Sequence, residues 1–188
     1  EEPAKAIHYL ALCADNAASL DAHAEAIRAL EQARALVEHL PPQERDRRSI
    51  QLVIREAQSL HFAGRRKEMV ALLVDHAERL ARLDDQALSG EFNFWLGFAH
   101  SWLGQRVEAE ACLQRGLLAA MRAGDTAITG RIHRALATEC VYSGKPLQDA
   151  IAHARQAASL LERDANPFWL AQALFTLSYC CYFAGAFD

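Results

Sequence analysis

The sequence predicts an all-α fold of about nine antiparallel helices, arranged as successive hairpins. Three observations carry this. Ala and Leu dominate a chain that holds only 9 Gly and 5 Pro, a composition that favours helix. Four glycines recur at a steady interval: Gly64, Gly104, Gly144 and Gly185 lie 40, 40 and 41 residues apart. An apolar run at helical spacing precedes each of them, and another follows the first three. Glycine tolerates the positive φ found just past a helix end, so each of these residues closes one helix and opens the turn into the next.

The elements follow in order. A first helix over roughly 4–19 pairs with a second over 22–39, whose inward stripe is Ala26, Leu30 and Ala33 at i, i+4, i+7. Pro41-Pro42 ends that helix and starts the next, 43–62. Its partner, 66–82, places Met69, Leu73 and His76 on the stripe. His76 is out of character there, and a local slip that turns Ala77 inward is the expectation. The helix 86–103 pairs with 106–122, whose stripe is Ala109, Leu113 and Gly116. Gly124-Asp125 reads as a C-terminal glycine followed by an N-cap, opening 126–143. Pro146 sits at the start of 147–163, where a missing N–H costs little, and Ala150, Ala154 and Ala157 form the stripe. Asn166-Pro167 reads as N-cap and first helical residue of a last helix, 167–184. The repeats are thus 4–40, 43–83, 86–124, 126–164 and a fifth first helix within 167–188.

Composition narrows the function. With 188 residues, 52% of them hydrophobic and 23% charged, the chain is long enough to bury a sizeable core. A formal charge of −4 gives no steering toward nucleic acid or a membrane surface. No apolar run approaches the roughly 20 residues of a membrane-spanning helix. There is neither signal peptide nor initiator Met, and both ends fall mid-pattern, so a piece of a longer, cytoplasmic protein is expected. Five cysteines (Cys13, Cys112, Cys140, Cys180, Cys181) form no C-x-x-C pair and read as small core residues in a reducing compartment. The eight His form no zinc spacing, so neither a metal nor a cofactor is expected. "PPQERDRRS" and "GRRKE" read as solvated turns, and Asp84-Asp85 as ordinary loop charges. No catalytic constellation is present, so an enzyme is not expected.

The first helices carry a further pattern. "GEFNFWLGFAHSWLGQRV" (90–107) and "AQALFTLSYCCYFAGAFD" (171–188) align without gaps on their glycines: Leu96 with Leu177, Gly97 with Ser178, His100 with Cys181. The fourth repeat offers Leu136, Ala137 and Cys140 in the same slots. Leu-Gly and a small or aromatic residue ahead of a Gly turn, then A-x-x-x-[LFY]-x-x-A, resembles the tetratricopeptide repeat (TPR). The period near 40, against the usual 34, is similar to the TPR-like arrays of bacterial signalling ATPases, such as LuxR-type activators and class III adenylate cyclases with an ATPase module. Residues 6–42 resemble the entry to such an array. No Walker motif or helix-turn-helix lies in the chain, so neither activity attaches to it.

The resemblance implies a right-handed α-α superhelix over 1–188, stable because each hairpin leans on the next, with first helices lining a concave side. It implies a protein-interaction or sensor module of a larger bacterial signalling or regulatory protein. Its partner would be a protein or peptide, or a small effector, with no nucleic acid and no membrane. The alternative is a structural spacer, or a self-association module forming a homodimer through its last repeat. Counting back from each glycine, the groove candidates are Phe94, Phe98, Trp102, Arg131, Arg134, Tyr142, Phe175, Tyr179 and Tyr182. Leu96, Gly97 and Trp95 fall on the helix-packing side. Aromatic residues with Arg are the types enriched at binding hot spots; the competing reading is that these rings only fill the stack.

Overall fold

The computed structural model describes residues 2–164 and 166–185. Among them the structure is all-α: α1 (Glu2–Ser19), α2 (His23–Ala35), α3 (Pro42–Phe62), α4 (Arg66–Ala81), α5 (Gln86–Trp102), α6 (Arg106–Ala123), α7 (Thr126–Tyr142), α8 (Leu147–Leu161) and α9 (Pro167–Ala184), with one 3₁₀ turn at Val37–His39. Residues 186–188, the end of the expected fifth repeat, lie outside the described residues. No helix among the described residues is long and apolar enough to cross a membrane.

The turns show why the chain repeats. At Gly64, Gly104 and Gly144 the backbone takes φ of 75°, 74° and 68°. The next residue's N–H then reaches back to the last turn of the helix: Arg65 to the Leu60 carbonyl, Gln105 to His100, Lys145 to Cys140. This closure satisfies carbonyls that a helix end leaves open. The same bond runs from Ala22 to Ala17, and there Asp21 holds φ 58°. The first turn is therefore built like the others, with an aspartate in the glycine's place, and a search for glycines passes over it. Asp is among the few L-residues that enter this region readily.

One boundary differs from expectation. The helix expected over 22–39 stops at Ala35, and Val37–His39 tightens into a 3₁₀ turn. Leu40, just before Pro41, is extended at ψ 161°. A residue preceding proline is pushed out of the helical region, so the helix must unwind ahead of it. Elsewhere the caps are as read. The Asp125 side chain accepts from the Ile128 N–H at 2.9 Å and Asn166 from Phe168 at 3.0 Å. Asp85, expected to be a loop charge, accepts from the Leu88 N–H at 3.0 Å and pairs with Arg47 at 2.9 Å.

The chain gathers into two compact units, residues 1–88 and 89–188. In the first, Ile7, Ala11 and Ala14 of α1 bury against Ala26, Leu30 and Ala33 of α2 and Leu52 of α3. Arg34 and Glu56 tie α2 to α3 at 2.6 Å, and burial still holds the Glu56 carboxyl above its ordinary range despite the guanidinium beside it. On α4, Met69, Leu73 and Leu80 are buried. Ala77 is exposed, and half-buried His76 keeps the inward slot, which corrects the expected slip. The ring stays because its Nδ1 meets the Leu72 carbonyl at 2.9 Å, and burial lowers its proton affinity.

In the second unit, small residues bring backbones together. A Cβ on Gly97 of α5 would meet the Leu113 side chain of α6 at 2.8 Å and the Ala109 carbonyl oxygen at 3.0 Å. Gly116 of α6 answers with the Gly90 carbonyl at 3.2 Å. This close approach is what the small-residue stripe provides. Ala150, Ala154 and Ala157 of α8 are likewise buried. Cys112, Cys140 and Cys180 are buried as expected, but Cys13 is exposed, because it lies on the outer face of α1.

Candidate functional site

The repeat puts equivalent residues one period apart on α3, α5, α7 and α9. One such slot holds Ile54, Phe94, Arg134 and Phe175 in turn. Ile54 is 3% exposed and Phe94 0%, so on α3 and α5 the slot is core. Phe94 therefore offers no groove surface, contrary to the sequence reading. Its ring is sealed between Trp95, stacked Phe98 and Trp169, with centroids 4.9, 5.5 and 5.8 Å away. Trp169, in the first turn of α9, supplies a wall that counting back from glycines does not find. Trp95 and Leu96 are buried as predicted.

On α7 the same slot carries Arg134, and it too is buried, 7% exposed. Its guanidinium carbon lies 4.9 Å from the Phe98 centroid and 5.7 Å from that of Trp169. No carboxylate pairs with it, and its Nε and Nη2 are buried with no hydrogen-bond partner among the described residues. Burial drags its pKa down to about 10. The neighbouring cations differ. Arg131 pairs with Asp164 at 3.3 Å while its guanidinium lies over Trp169 at 4.8 Å. Arg106, the first residue of α6, donates to Glu139 at 2.8 Å and lies 4.9 Å over the Tyr142 ring. Glu139 also accepts from the Ser101 hydroxyl.

A cavity of about 360 Å³ opens between α5 and α7. Phe98, Ser101 and Trp102 come from α5 and Arg106 from the start of α6; Arg134, Ala135, Thr138 and Tyr142 come from α7. Four of the predicted residues thus meet around one space: Phe98, Trp102, Arg134 and Tyr142. Trp102 and Tyr142 remain 57% and 56% exposed at its rim. Arg131 lies behind, on Trp169. The Tyr179 hydroxyl donates to that of Tyr142 at 3.3 Å, which links α9 to the rim. Phe175 stacks on Tyr179 at 6.4 Å, and it and Tyr182 are exposed on α9 away from the cavity. Arg106 and Glu139 were not legible as site residues, since each belongs to a pairing that the fold alone creates.

Further cavities lie among the described residues. One of about 290 Å³ lies between α1 and α3, lined by His23, Arg55 and Phe62 among others. One of about 490 Å³ lies where α6 and α8 flank α7. There His133 and His153 face each other, Nδ1 to Nδ1, at 2.8 Å. Burial, and then the neighbouring imidazole, holds His133 at about 4; burial also lowers His153. No cluster of three or more metal-ligating side chains exists among the described residues.

Among solved structures, the crystal structure of BtubC (BKLC) from P. vanneervenii matches this chain with a TM-score of 0.78. The chain has a helical-repeat fold. The match covers 96% of this chain and 74% of that one at 15% sequence identity, so the likeness is one of architecture. No protein-family model matches the sequence, and no curated protein matches it. Repeat proteins diverge in this way because each slot asks only for size and polarity, which many sequences supply.

Proposed function

We propose that the chain is a non-catalytic recognition module, the sensing or interaction arm of a larger bacterial signalling or regulatory protein. It captures its partner in the α5–α7 cavity. The TPR-like pattern and the 40-residue period support this class, as does the resemblance to the arrays of LuxR-type activators and ATPase-linked cyclases. The observation that carries the reading is Arg134, a charged residue in a slot that is apolar core on α3 and α5. A solenoid gains nothing in packing from a buried, unpaired charge there. Rings at the rim and a cation inside are the composition of a recognition site.

The test is amide chemical-shift mapping of the 188-residue chain against a library of small aromatic compounds and short peptides. Binders should shift the amides of Phe98, Ser101, Trp102, Thr138 and Tyr142, and Trp102→Ala should lose them while costing less than about 1 kcal/mol of stability. Binders that scatter over other faces, or none at all, would overturn the proposal.

The exposed Leu174, Phe175, Tyr182 and Phe183 of α9 favour a second reading, self-association through that helix. Sedimentation velocity separates the two. A monomer at several hundred micromolar excludes self-association, and a dimer dispersed by Phe175→Glu supports it.

A further inference from the structure

We infer that the α5–α7 cavity takes a small aromatic monocarboxylate, seated with its carboxylate on Arg134 and its ring among Phe98, Trp102 and Tyr142. The inference rests on the recognition reading above and names the ligand class.

Charge comes first. Arg106 is neutralised by Glu139, and Arg131 by Asp164. Arg134 alone brings a charge that no carboxylate of the described residues meets, so the site carries one unit of positive charge in excess. One unit calls for a monoanion; a phosphate dianion would leave a charge uncompensated. Geometry comes second. A guanidinium presents its N–H groups as a planar fork that matches a carboxylate edge. Nε and Nη2 are two adjacent donors on one edge of that fork, and they are the two that lack partners. Both are closed off from solvent, so a carboxylate reaches them as the guanidinium turns toward the cavity that Arg134 lines, and a charge-assisted bond in a low dielectric compensates that movement.

The walls then select the rest of the molecule. Phe98 already stands face-on to the guanidinium, and Trp102 lies edge-on to Phe98 at 6.3 Å. Tyr142 closes the far side under Arg106. A cavity of about 360 Å³ is at the lower end for small-molecule sites, which suits one ring and a short acid arm better than a folded partner.

The experiment titrates phenylacetate and its neutral isostere phenylacetamide into the native chain, reading Kd from amide shifts. Phenylacetate should bind at least 10-fold more tightly than the amide, a difference that shrinks at high salt. In Arg134→Met the two should bind alike. Equal affinities in the native chain would overturn the carboxylate assignment, and that measurement needs no variant. If both compounds still shift Phe98, Trp102 and Tyr142, the recognition reading survives that failure. If neither shifts them, both fall. N-acetyl-alanyl-phenylalanine is a third arm. Binding more than 10-fold tighter than phenylacetate would move the carboxylate's source to a peptide C-terminus and overturn the free acid.

Discussion

Arg134→Met should make the protein more stable. Holding the Arg134 pKa at about 10 rather than 12.5 corresponds to about 3 kcal/mol of unfavourable burial at neutral pH. The side chain is nearly fully buried, so solvent does not screen this away. The Phe98 and Trp169 rings return about 1–2 kcal/mol through cation–π attraction. The charge therefore remains a net cost of about 1–2 kcal/mol. Methionine keeps the length of the side chain, removes the charge and suits a slot that holds Ile54 and Phe94 in the neighbouring repeats. A gain of about 1–2 kcal/mol follows, or a melting temperature higher by roughly 2–8 °C for a chain of this length. Urea unfolding followed by circular dichroism at 222 nm reads it directly. A loss of more than about 1 kcal/mol would mean that Arg134 is a structural tie between α7 and the aromatic cluster, and the reasoning for a site would fail.

Three further predictions separate packing from recognition. Phe94→Ala should cost about 3–5 kcal/mol, whereas Trp102→Ala should cost less than about 1, because only the first ring is core; chemical denaturation checks the pair. Gly97→Ala should cost about 1–3 kcal/mol, since the added methyl meets the fixed Ala109 carbonyl at 3.0 Å and α6 must back away; the Cm of urea unfolding reads this, and a neutral result would refute the close approach. The His133–His153 pair should make the chain acid-sensitive. His133 falls from 6.5 to about 4 on folding, so between those values the unfolded chain holds more protons than the native one. Stability is then unaffected above about pH 6.5 and declines as the pH drops toward 4. The full shift corresponds to about 3 kcal/mol, but the half-exposed ring is screened, which leaves about 1–2. His133→Phe should flatten that slope in a pH series of urea melts.

Much of the fold was legible because the turn chemistry repeats. Gly64, Gly104 and Gly144 mark helix ends to within a residue or two, since a left-handed turn residue leaves few choices besides glycine. Asp21 shows the limit: the same turn with a different residue is invisible to the pattern. The rest of the misreadings concern which way a side chain faces. Phe94 shares a helical slot with Arg134, and spacing alone put both in the groove, although only Arg134 lines the cavity. Besides its neighbours Trp95 and Phe98, Phe94 is covered by Trp169, a residue 75 positions away, and no local pattern encodes that meeting. Arg106 was missed for the same reason, since its partner Glu139 arrives with a neighbouring hairpin. His76 failed differently: a polar ring holds an inward slot because a backbone carbonyl one turn earlier accepts it. The four residues that do converge, Phe98, Trp102, Arg134 and Tyr142, were legible because 40-residue spacing lays successive first helices side by side.

The buried guanidinium can be watched directly. The Nε–H resonance of Arg134, followed in a ¹H–¹⁵N spectrum as phenylacetate is added, should move downfield and saturate with the same affinity as the amides of Phe98 and Tyr142. A resonance that stays in place while those amides shift would show that the cavity binds rings without using its charge. A spectrum in which nothing moves would remove the site altogether.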